Sequence, residues 1–194
     1  MSATIYCYGD SNTYGYDPRS FLGDRYPAQD RWPDLLSVSG NLQVICDGEN
    51  GREIPTYSLQ LSAFCSKLQQ TKPDLLIVML GSNDLLSHPS FTAEDVALRM
   101  REFLQALPPV CPILLVAPVP MKPGAWVSEE RLLKESARIA AVYRALEQEG
   151  TVFFADTSAW DIPLAYDGVH FTAEGHHRFA HQLAACISQI LQKA

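Results

Sequence analysis

The sequence lacks runs of basic residues and is short of positive charge. Its 15 lysines and arginines are outnumbered by 22 aspartates and glutamates, so the formal net charge at pH 7 is -7. Proteins that bind nucleic acid neutralise its phosphate backbone with clustered lysines and arginines. We therefore expect no nucleic-acid partner.

Long apolar runs are also missing. No uninterrupted apolar stretch approaches the roughly 20 residues of a membrane-spanning helix. The opening segment MSATIYCYGD has neither the basic part nor the apolar part of a secretory signal. We therefore expect a soluble, cytoplasmic protein with no membrane partner.

Paired cysteines are absent as well. The five cysteines are odd in number and widely spaced, with no C-x-x-C pair. Disulfide frameworks and zinc sites need paired or closer spacing. Because most of the cysteines lie in apolar segments, we expect them to be reduced and buried as small hydrophobic residues. They are Cys7, Cys46, Cys65, Cys111 and Cys186.

The sequence does contain enough apolar material for one domain spanning residues 1–194, since 47% of its residues are hydrophobic. Short apolar runs alternate with longer segments of helical period. The predicted strands cover residues 3–8, 42–46, 75–80, 113–117 and 151–156. The predicted helices cover residues 58–70, 92–107, 129–148 and a last segment from about Thr172.

Apolar strands separated by helices indicate a parallel sheet covered on both faces. We predict a three-layer α/β/α fold with a flavodoxin-like, doubly wound sheet of about five parallel strands. Ligands of such sheets bind outside the carboxyl ends of the strands. The loops that follow the predicted strands bring five residues to this edge, namely Ser11, Gly51, Asn83, Asp167 and His170.

Three of these residues are a serine, a histidine and an aspartate, the residue types that many hydrolases use for nucleophilic catalysis. A serine hydroxyl is a weak nucleophile until a base takes its proton, and a carboxylate orients that base. Ser11, His170 and Asp167 fit these roles, and one turn can bring Asp167 to the imidazole of His170 three residues later. Donors for an oxyanion are available from the backbone N–H groups of Ser11 and Gly51 and the amide of Asn83.

Each residue also has an ordinary structural interpretation. Taken alone, Ser11 is a helix cap or turn residue, Asp167 a cap, and Asn83 a turn residue. Gly51 alone is a left-handed turn position, and His170 alone is a hydrogen-bonded loop or core histidine. Their joint placement at successive strand ends favours the catalytic interpretation.

Four short segments contain these five residues, namely GDSNTYG at 9–15, DGENGRE with Gly51, GSND at 81–84 and DGVHFT at 167–172. In this order they resemble the four sequence blocks of the SGNH hydrolases, also called GDSL-type esterases, with Gly51 similar to the second-block glycine. The blocks occur in order over nearly the whole chain. RWPDLL and NGRE are similar to the branch of small bacterial arylesterases and acyltransferases.

The resemblance implies a serine esterase for small ester molecules that needs no cofactor and no metal. Ser11 would be the nucleophile, His170 the base and Asp167 its orienter, with Ser11, Gly51 and Asn83 as oxyanion donors. An acyltransferase, a lysophospholipase or a thioesterase are alternatives within the family.

The sequence departs from the family pattern at two places. Asn12 replaces the leucine of the GDSL name, which we expect to leave the chemistry unchanged. Glu53 and Ile54 replace threonines of the arylesterase branch, so substrate preference does not transfer from that branch.

An alternative from another class is a flavodoxin-like domain that binds phosphate or a nucleotide at the first loop. This alternative leaves the D-x-x-H pair unexplained.

Several further residues have two interpretations. The aromatic residues near strand ends either line an acyl or alcohol pocket or anchor loops; they are Tyr14, Tyr16, Trp126, Trp160 and Tyr166. Arg52 either meets an anionic substrate group or forms a surface ion pair. His176, His177 and His181 lack the glutamate of a metalloprotease motif, and we interpret them as a solvated helix face.

Overall fold

The computed structural model describes residues 2–20, 22–39, 42–148 and 151–192. Five strands form one parallel sheet in the order β2-β1-β3-β4-β5. The strands are β1 (Ala3–Gly9), β2 (Leu42–Gly48), β3 (Leu75–Met79), β4 (Ile113–Val116) and β5 (Val152–Ala155). This order confirms the predicted flavodoxin-like α/β fold.

Helices connect the strands and cover the sheet. The α-helices are α1 (Ser11–Tyr14), α2 (Trp32–Ser39), α3 (Ser58–Thr71), α4 (Ser82–Ser87), α5 (Ala93–Ala106), α6 (Glu130–Arg144) and α7 (Ala173–Leu191). A short 3-10 helix covers Ala28–Asp30. The four long helices, α3, α5, α6 and α7, agree with the four predicted from helical periodicity.

Side chains of each strand alternate between two hydrophobic clusters, one on each face of the sheet. On β1, Tyr6 and Tyr8 belong to the cluster that also contains side chains of α3, α5 and α6, and Tyr8 stacks with Phe64 and Phe103. Ile5 and Cys7 point the other way and pack against α2 and α7. The sheet is therefore the middle layer of three, and its carboxyl edge stays free for the loops that carry the candidate site.

Three short helices escaped the sequence prediction because a helix of four to eight residues shows too little of the 3.6-residue period. Two of them, α1 and α4, begin directly after β1 and β3 within the GDSN and GSND segments. Their formation turns the chain sharply and puts Ser11 and Asn83 at the sheet edge.

All five cysteines are free, but the expectation that they are buried is wrong for Cys46, which is exposed on the edge strand β2. Cys7 is fully buried in the central strand β1, while the remaining three are partly buried. Edge strands have a neighbour on one side only, which explains the exposure of Cys46. Within the described ranges, no helix combines the length and the apolar character needed to cross a membrane.

Candidate active site

Ser11 is held at the carboxyl end of β1 by the helix that it begins. Asp10 caps α1, and its Oδ1 accepts a hydrogen bond of 2.9 Å from the Asn12 N–H. Burial of Asp10 raises its pKa to about 6, against the lowering effect of the Asn12 and Thr13 N–H groups. This tight cap turns the chain so that Ser11 follows directly after the strand.

Asp167 and His170 lie in one turn before α7. Oδ1 of Asp167 accepts the N–H groups of Val169 and His170, each at 2.9 Å, which leaves Oδ2 for the ring. The turn needs Gly168, whose φ is 83° and whose added Cβ would lie 2.0 Å from the carbonyl oxygen of Lys122. The sequence spacing of three residues therefore brings carboxylate and imidazole together.

A chain of hydrogen-bond distances joins the three side chains. Nδ1 of His170 lies 2.8 Å from Oδ2 of Asp167, and Nε2 lies 2.9 Å from Oγ of Ser11. Burial works to raise the pKa of Asp167, but hydrogen bonds from His170 and Val169 outweigh it and hold the pKa below its usual value. Asp167 is therefore a carboxylate that can orient the imidazole and stabilise a positive charge on it.

Asn12 connects the serine helix to the histidine turn, a role that the sequence analysis missed. Its Nδ2 donates to the Val169 carbonyl at 3.2 Å, and its Oδ1 accepts the Phe171 N–H at 2.9 Å. The Trp32 indole in turn donates to the Asn12 carbonyl at 2.9 Å. The departure from the GDSL pattern at this position was the available signal, because a buried polar side chain next to a nucleophile needs partners.

The predicted oxyanion donors are the backbone N–H groups of Ser11 and Gly51 and the side-chain amide of Asn83. In the part of the chain that the structure describes, neither the Ser11 N–H nor the Gly51 N–H has an acceptor. Gly51 has a φ of 73°, a left-handed conformation that favours glycine. Asn83, in the first turn of α4, donates one Nδ2 hydrogen to the Arg52 carbonyl at 3.1 Å and keeps the other.

The Arg52 guanidinium is directed at the protein itself. It donates to the Gly9 carbonyl at 3.0 Å, to the Asp47 carbonyl, to Oδ1 of Asp47 at 2.8 Å and to Glu49 at 2.9 Å. It also stacks over the Tyr8 ring at 4.2 Å. The structure thus favours an ion pair over substrate binding, although the pair is part-buried rather than at the surface.

The structure separates the predicted pocket aromatics into two groups. Tyr16 and Trp126 lie beside His170, with ring centroids 4.6 and 4.9 Å from its ring. Trp126 is 52% exposed, and its backbone N–H donates to the Asp167 carbonyl at 3.0 Å. Both rings therefore border the imidazole of His170.

The other aromatics have partners elsewhere. Tyr14 stacks under the Arg25 guanidinium at 4.5 Å. The hydroxyl of Tyr166 donates to the Pro18 carbonyl at 2.9 Å, which ties two loops together. Trp160 packs on Phe179 of α7. For these three the loop-anchor interpretation fits better.

The histidine cluster on α7 is not uniformly solvated. His177 is exposed and lies 3.0 Å from Asp30, but the prediction is wrong for His176, which is fully buried between Tyr26 and Phe171. Phe171 belongs to the core and packs against His176, so this face of α7 is buried. Among the described residues no three potential metal ligands come together.

Fold and site together define a doubly wound α/β protein with a serine, a histidine and an aspartate aligned at the carboxyl edge of its sheet, an arrangement that serine hydrolases use. Residues 7–178 match the model of the GDSL-like lipase/acylhydrolase family. The chain belongs to this family, and it is a carboxylic ester hydrolase that acts on small-molecule esters.

Solved structures of bacterial esterases are similar over the whole chain. A protein from Agrobacterium tumefaciens str. C58, provisionally designated an arylesterase, is 30% identical, with a TM-score of 0.83 and coverage of 98% of this chain and 100% of that one. The M. smegmatis aryl esterase is 25% identical, with a TM-score of 0.84 and coverage of 97% and 100%. A carbohydrate acetylesterase family member from Sinorhizobium meliloti is 27% identical, with a TM-score of 0.83 and coverage of 99% and 100%. No curated protein sequence matches the chain.

Proposed function

We propose that this protein is a serine esterase that hydrolyses small, short-chain acyl esters through an acyl-enzyme intermediate. The observation that carries the proposal is the continuous line of contacts from Ser11 through His170 to Asp167, at 2.9 and 2.8 Å. All three side chains are buried, so the line is kept in place by the surrounding protein. Such alignment is what a serine needs to become a nucleophile at neutral pH.

In the acylation step Oγ of Ser11 attacks the ester carbonyl carbon while Nε2 of His170 takes the hydroxyl proton. The Asp167 carboxylate accepts a hydrogen bond from Nδ1–H of His170 and stabilises the imidazolium that forms. His170 then gives its proton to the leaving alkoxide, and the alcohol departs. In the second step His170 takes a proton from water while the water oxygen attacks the acyl carbonyl carbon of the acyl-enzyme. The acid is released, and Ser11 regains its proton from His170.

The oxyanion of the tetrahedral intermediate is received by three donors in this proposal. They are the N–H groups of Ser11 and Gly51 and the second Nδ2 hydrogen of Asn83. The lack of an acceptor for either N–H among the described residues supports this role, because both groups are free to donate to an oxyanion, and the Ser11 N–H belongs to a buried residue. Fixed donors of this kind stabilise the intermediate without reorganising during the reaction.

The capping of α1 argues against the phosphate-binding alternative. A bound phosphate would need the N-terminal N–H groups of that helix. The Asp10 carboxylate already accepts the Asn12 N–H at 2.9 Å, and its negative charge would repel a phosphate.

The surroundings of His170 support small esters with an accessible alcohol portion. Trp126 is half-exposed beside the imidazole, so the site is open to solvent on the side of that ring. Similar solved proteins carry the names aryl esterase and carbohydrate acetylesterase. In the esters that these names describe, the alcohol portion is an aryl group or a carbohydrate. We expect acetyl to butyryl esters of such alcohols to be the best substrates.

The test is the Ser11→Ala variant assayed with p-nitrophenyl acetate. We expect hydrolysis to fall to the uncatalysed rate while the far-UV circular dichroism spectrum is unchanged. Diethyl p-nitrophenyl phosphate should label Ser11 in the native protein, as located by peptide mass mapping. Ser66→Ala, which removes an exposed hydroxyl on α3, is the matched control. Substantial turnover by folded Ser11→Ala protein would remove Ser11 from the mechanism.

A further inference from the structure

The loop between β2 and α3, residues 49–57, carries Gly51 at an exposed position, whereas Ile54 further along the loop is buried in the core. It borders an open groove of about 480 Å³ that also contacts His88 and Arg99. An added Cβ on Gly51 would meet nothing within 4 Å. Packing therefore does not hold Gly51 itself, and polar contacts of its neighbours, including those of the Arg52 guanidinium to Gly9 and Asp47, help to set its position.

Two of these contacts come from neighbouring residues at the start of α4. Asn83 donates to the Arg52 carbonyl at 3.1 Å, and Oδ2 of Asp84 accepts the Ile54 N–H at 3.2 Å. Asp84 is fully buried. Burial raises its pKa, while the Ile54 N–H and the Arg99 guanidinium act in the opposite direction. The carboxylate therefore needs a cation beside it to stay charged.

Arg99 on α5 supplies that cation and a second contact to the loop. Its Nη1 lies 2.7 Å from Oδ1 of Asp84 and 3.0 Å from Oε2 of Glu53. The same Glu53 oxygen lies 2.8 Å from Nε2 of His88. Burial works to raise the pKa of Glu53, but hydrogen bonds from His88 and Arg99 outweigh it and lower the pKa. Nη1 of Arg99 thus contacts both the Glu53 carboxylate of the loop and the Asp84 carboxylate of α4.

These contacts link the two elements that carry the oxyanion donors. Glu53 and Ile54 follow Gly51 by two and three residues, and Asp84 follows Asn83 directly. The helix that carries Arg99 is itself anchored, since Val96, Met100 and Phe103 are buried in the core. Arg99 therefore connects an anchored helix to both the 49–57 loop and α4.

We propose that Arg99 is a positioning residue that sets the distance between the Gly51 and Asn83 donors, an inference that rests on their proposed role. Arg99 acts through the Glu53 and Asp84 carboxylates and does not itself contact the reacting atoms. Glu53 forms the loop side of this contact. A glutamate there provides a charge for Arg99 to bind.

The test compares Arg99→Met with the native enzyme on p-nitrophenyl acetate. Loss of geometry at a remote support can reduce turnover by about 100-fold, and we expect kcat to fall by about 10- to 100-fold with KM changed less than about twofold. Arg99→Lys keeps a cation and should retain an intermediate kcat. Arg101→Met removes an exposed guanidinium from the same helix and should leave kcat unchanged.

A double-mutant comparison separates positioning from general destabilisation. If Arg99 acts through the oxyanion donors, Arg99→Met should reduce kcat by less than about threefold when Asn83 is already alanine. Equal losses in the native and Asn83→Ala backgrounds would overturn the inference. A normal kcat for Asn83→Ala alone would instead overturn the proposed oxyanion role, and this inference with it.

Glu53→Ala keeps the test decisive if Arg99→Met does not fold. This change breaks the loop half of the contact at a side chain that is 32% exposed and leaves Asp84 paired with Arg99. We expect a smaller fall in kcat that again shrinks in the Asn83→Ala background. A folded Glu53→Ala protein with unchanged kcat would show that the loop does not depend on Arg99.

Discussion

The Ser11 hydroxyl oxygen lies 2.9 Å from Nε2 of His170, although 159 positions of sequence separate the two residues. No local interaction can hold such a distance. Asn12 bridges the gap, since its amide bonds both the Val169 carbonyl and the Phe171 N–H on either side of His170. The serine helix and the histidine turn are thereby fixed to each other.

We predict that Asn12→Ala lowers both activity and stability. The change leaves a buried carbonyl and a buried N–H without their partner, and each such group costs about 1 to 3 kcal/mol. The free energy of unfolding from urea titration should therefore fall by at least about 1 kcal/mol, and kcat should fall with it because the Ser11 to His170 distance is no longer fixed. Gln69→Ala, at an exposed position of α3, is the control. Native values of both quantities for Asn12→Ala would refute the bridging role.

Asn83→Ala should reduce kcat by roughly 10²- to 10³-fold, which is the usual effect of deleting one oxyanion donor. The lost hydrogen bond forms fully only in the tetrahedral intermediate, so KM should change much less. Steady-state kinetics on p-nitrophenyl acetate provide the measurement. A variant with native kcat and only a raised KM would assign Asn83 to substrate positioning instead.

The fold was predictable because each strand and long helix carries its own periodic pattern. The apolar runs of β1 and β3 are buried on both faces, which is the pattern of a central parallel strand. The positions of Ser11, Asp167 and His170 followed from strand ends and from the four sequence blocks. Their mutual distances are properties of the folded chain.

The side-chain partners were not predictable, because they depend on contacts between distant segments. Arg52 folds back onto Gly9 and Asp47 rather than facing a ligand. The burial of His176 depends on Tyr26 and Phe171, which approach from two other segments. Periodicity within one helix contains no information on such neighbours.

Stability should fall with acid in a way that depends on His176. Burial, followed by the nearby His177, lowers the pKa of His176 to about 3, and neither ring nitrogen has a hydrogen-bond partner among the described residues. The unfolded chain binds this proton below about pH 6.5, whereas the folded protein binds it only near pH 3. The unfolded state therefore holds more protons between these values, and the free energy of unfolding decreases as pH falls through this window.

His176→Phe should remove this part of the pH dependence. A shift of one pKa unit corresponds to about 1.4 kcal/mol, so native protein should lose about 2 to 3 kcal/mol from this group between pH 6.5 and 4.5. Urea unfolding of native and variant protein at both pH values gives the difference, and the exposed His181→Gln is the control. Equal pH slopes for native protein and His176→Phe would show that another group controls acid unfolding.

Acyl chains of acetyl to butyryl length should be preferred over long chains. Among the described residues of the loops at 16–31, 118–128 and 157–170, the only helix is the 3-10 turn Ala28–Asp30. No amphipathic helix is therefore available there to cover an acyl chain, and Trp126 beside His170 is itself half-exposed. Each methylene gains about 0.8 kcal/mol when fully buried, and chains beyond butyryl should gain much less than that. We expect kcat/KM on p-nitrophenyl esters to peak by butyrate and to fall thereafter, with Ser11→Ala protein measured in parallel to subtract uncatalysed hydrolysis. A steady rise from acetate through octanoate would instead require an apolar channel and would assign the protein to the lysophospholipase or thioesterase side of its family.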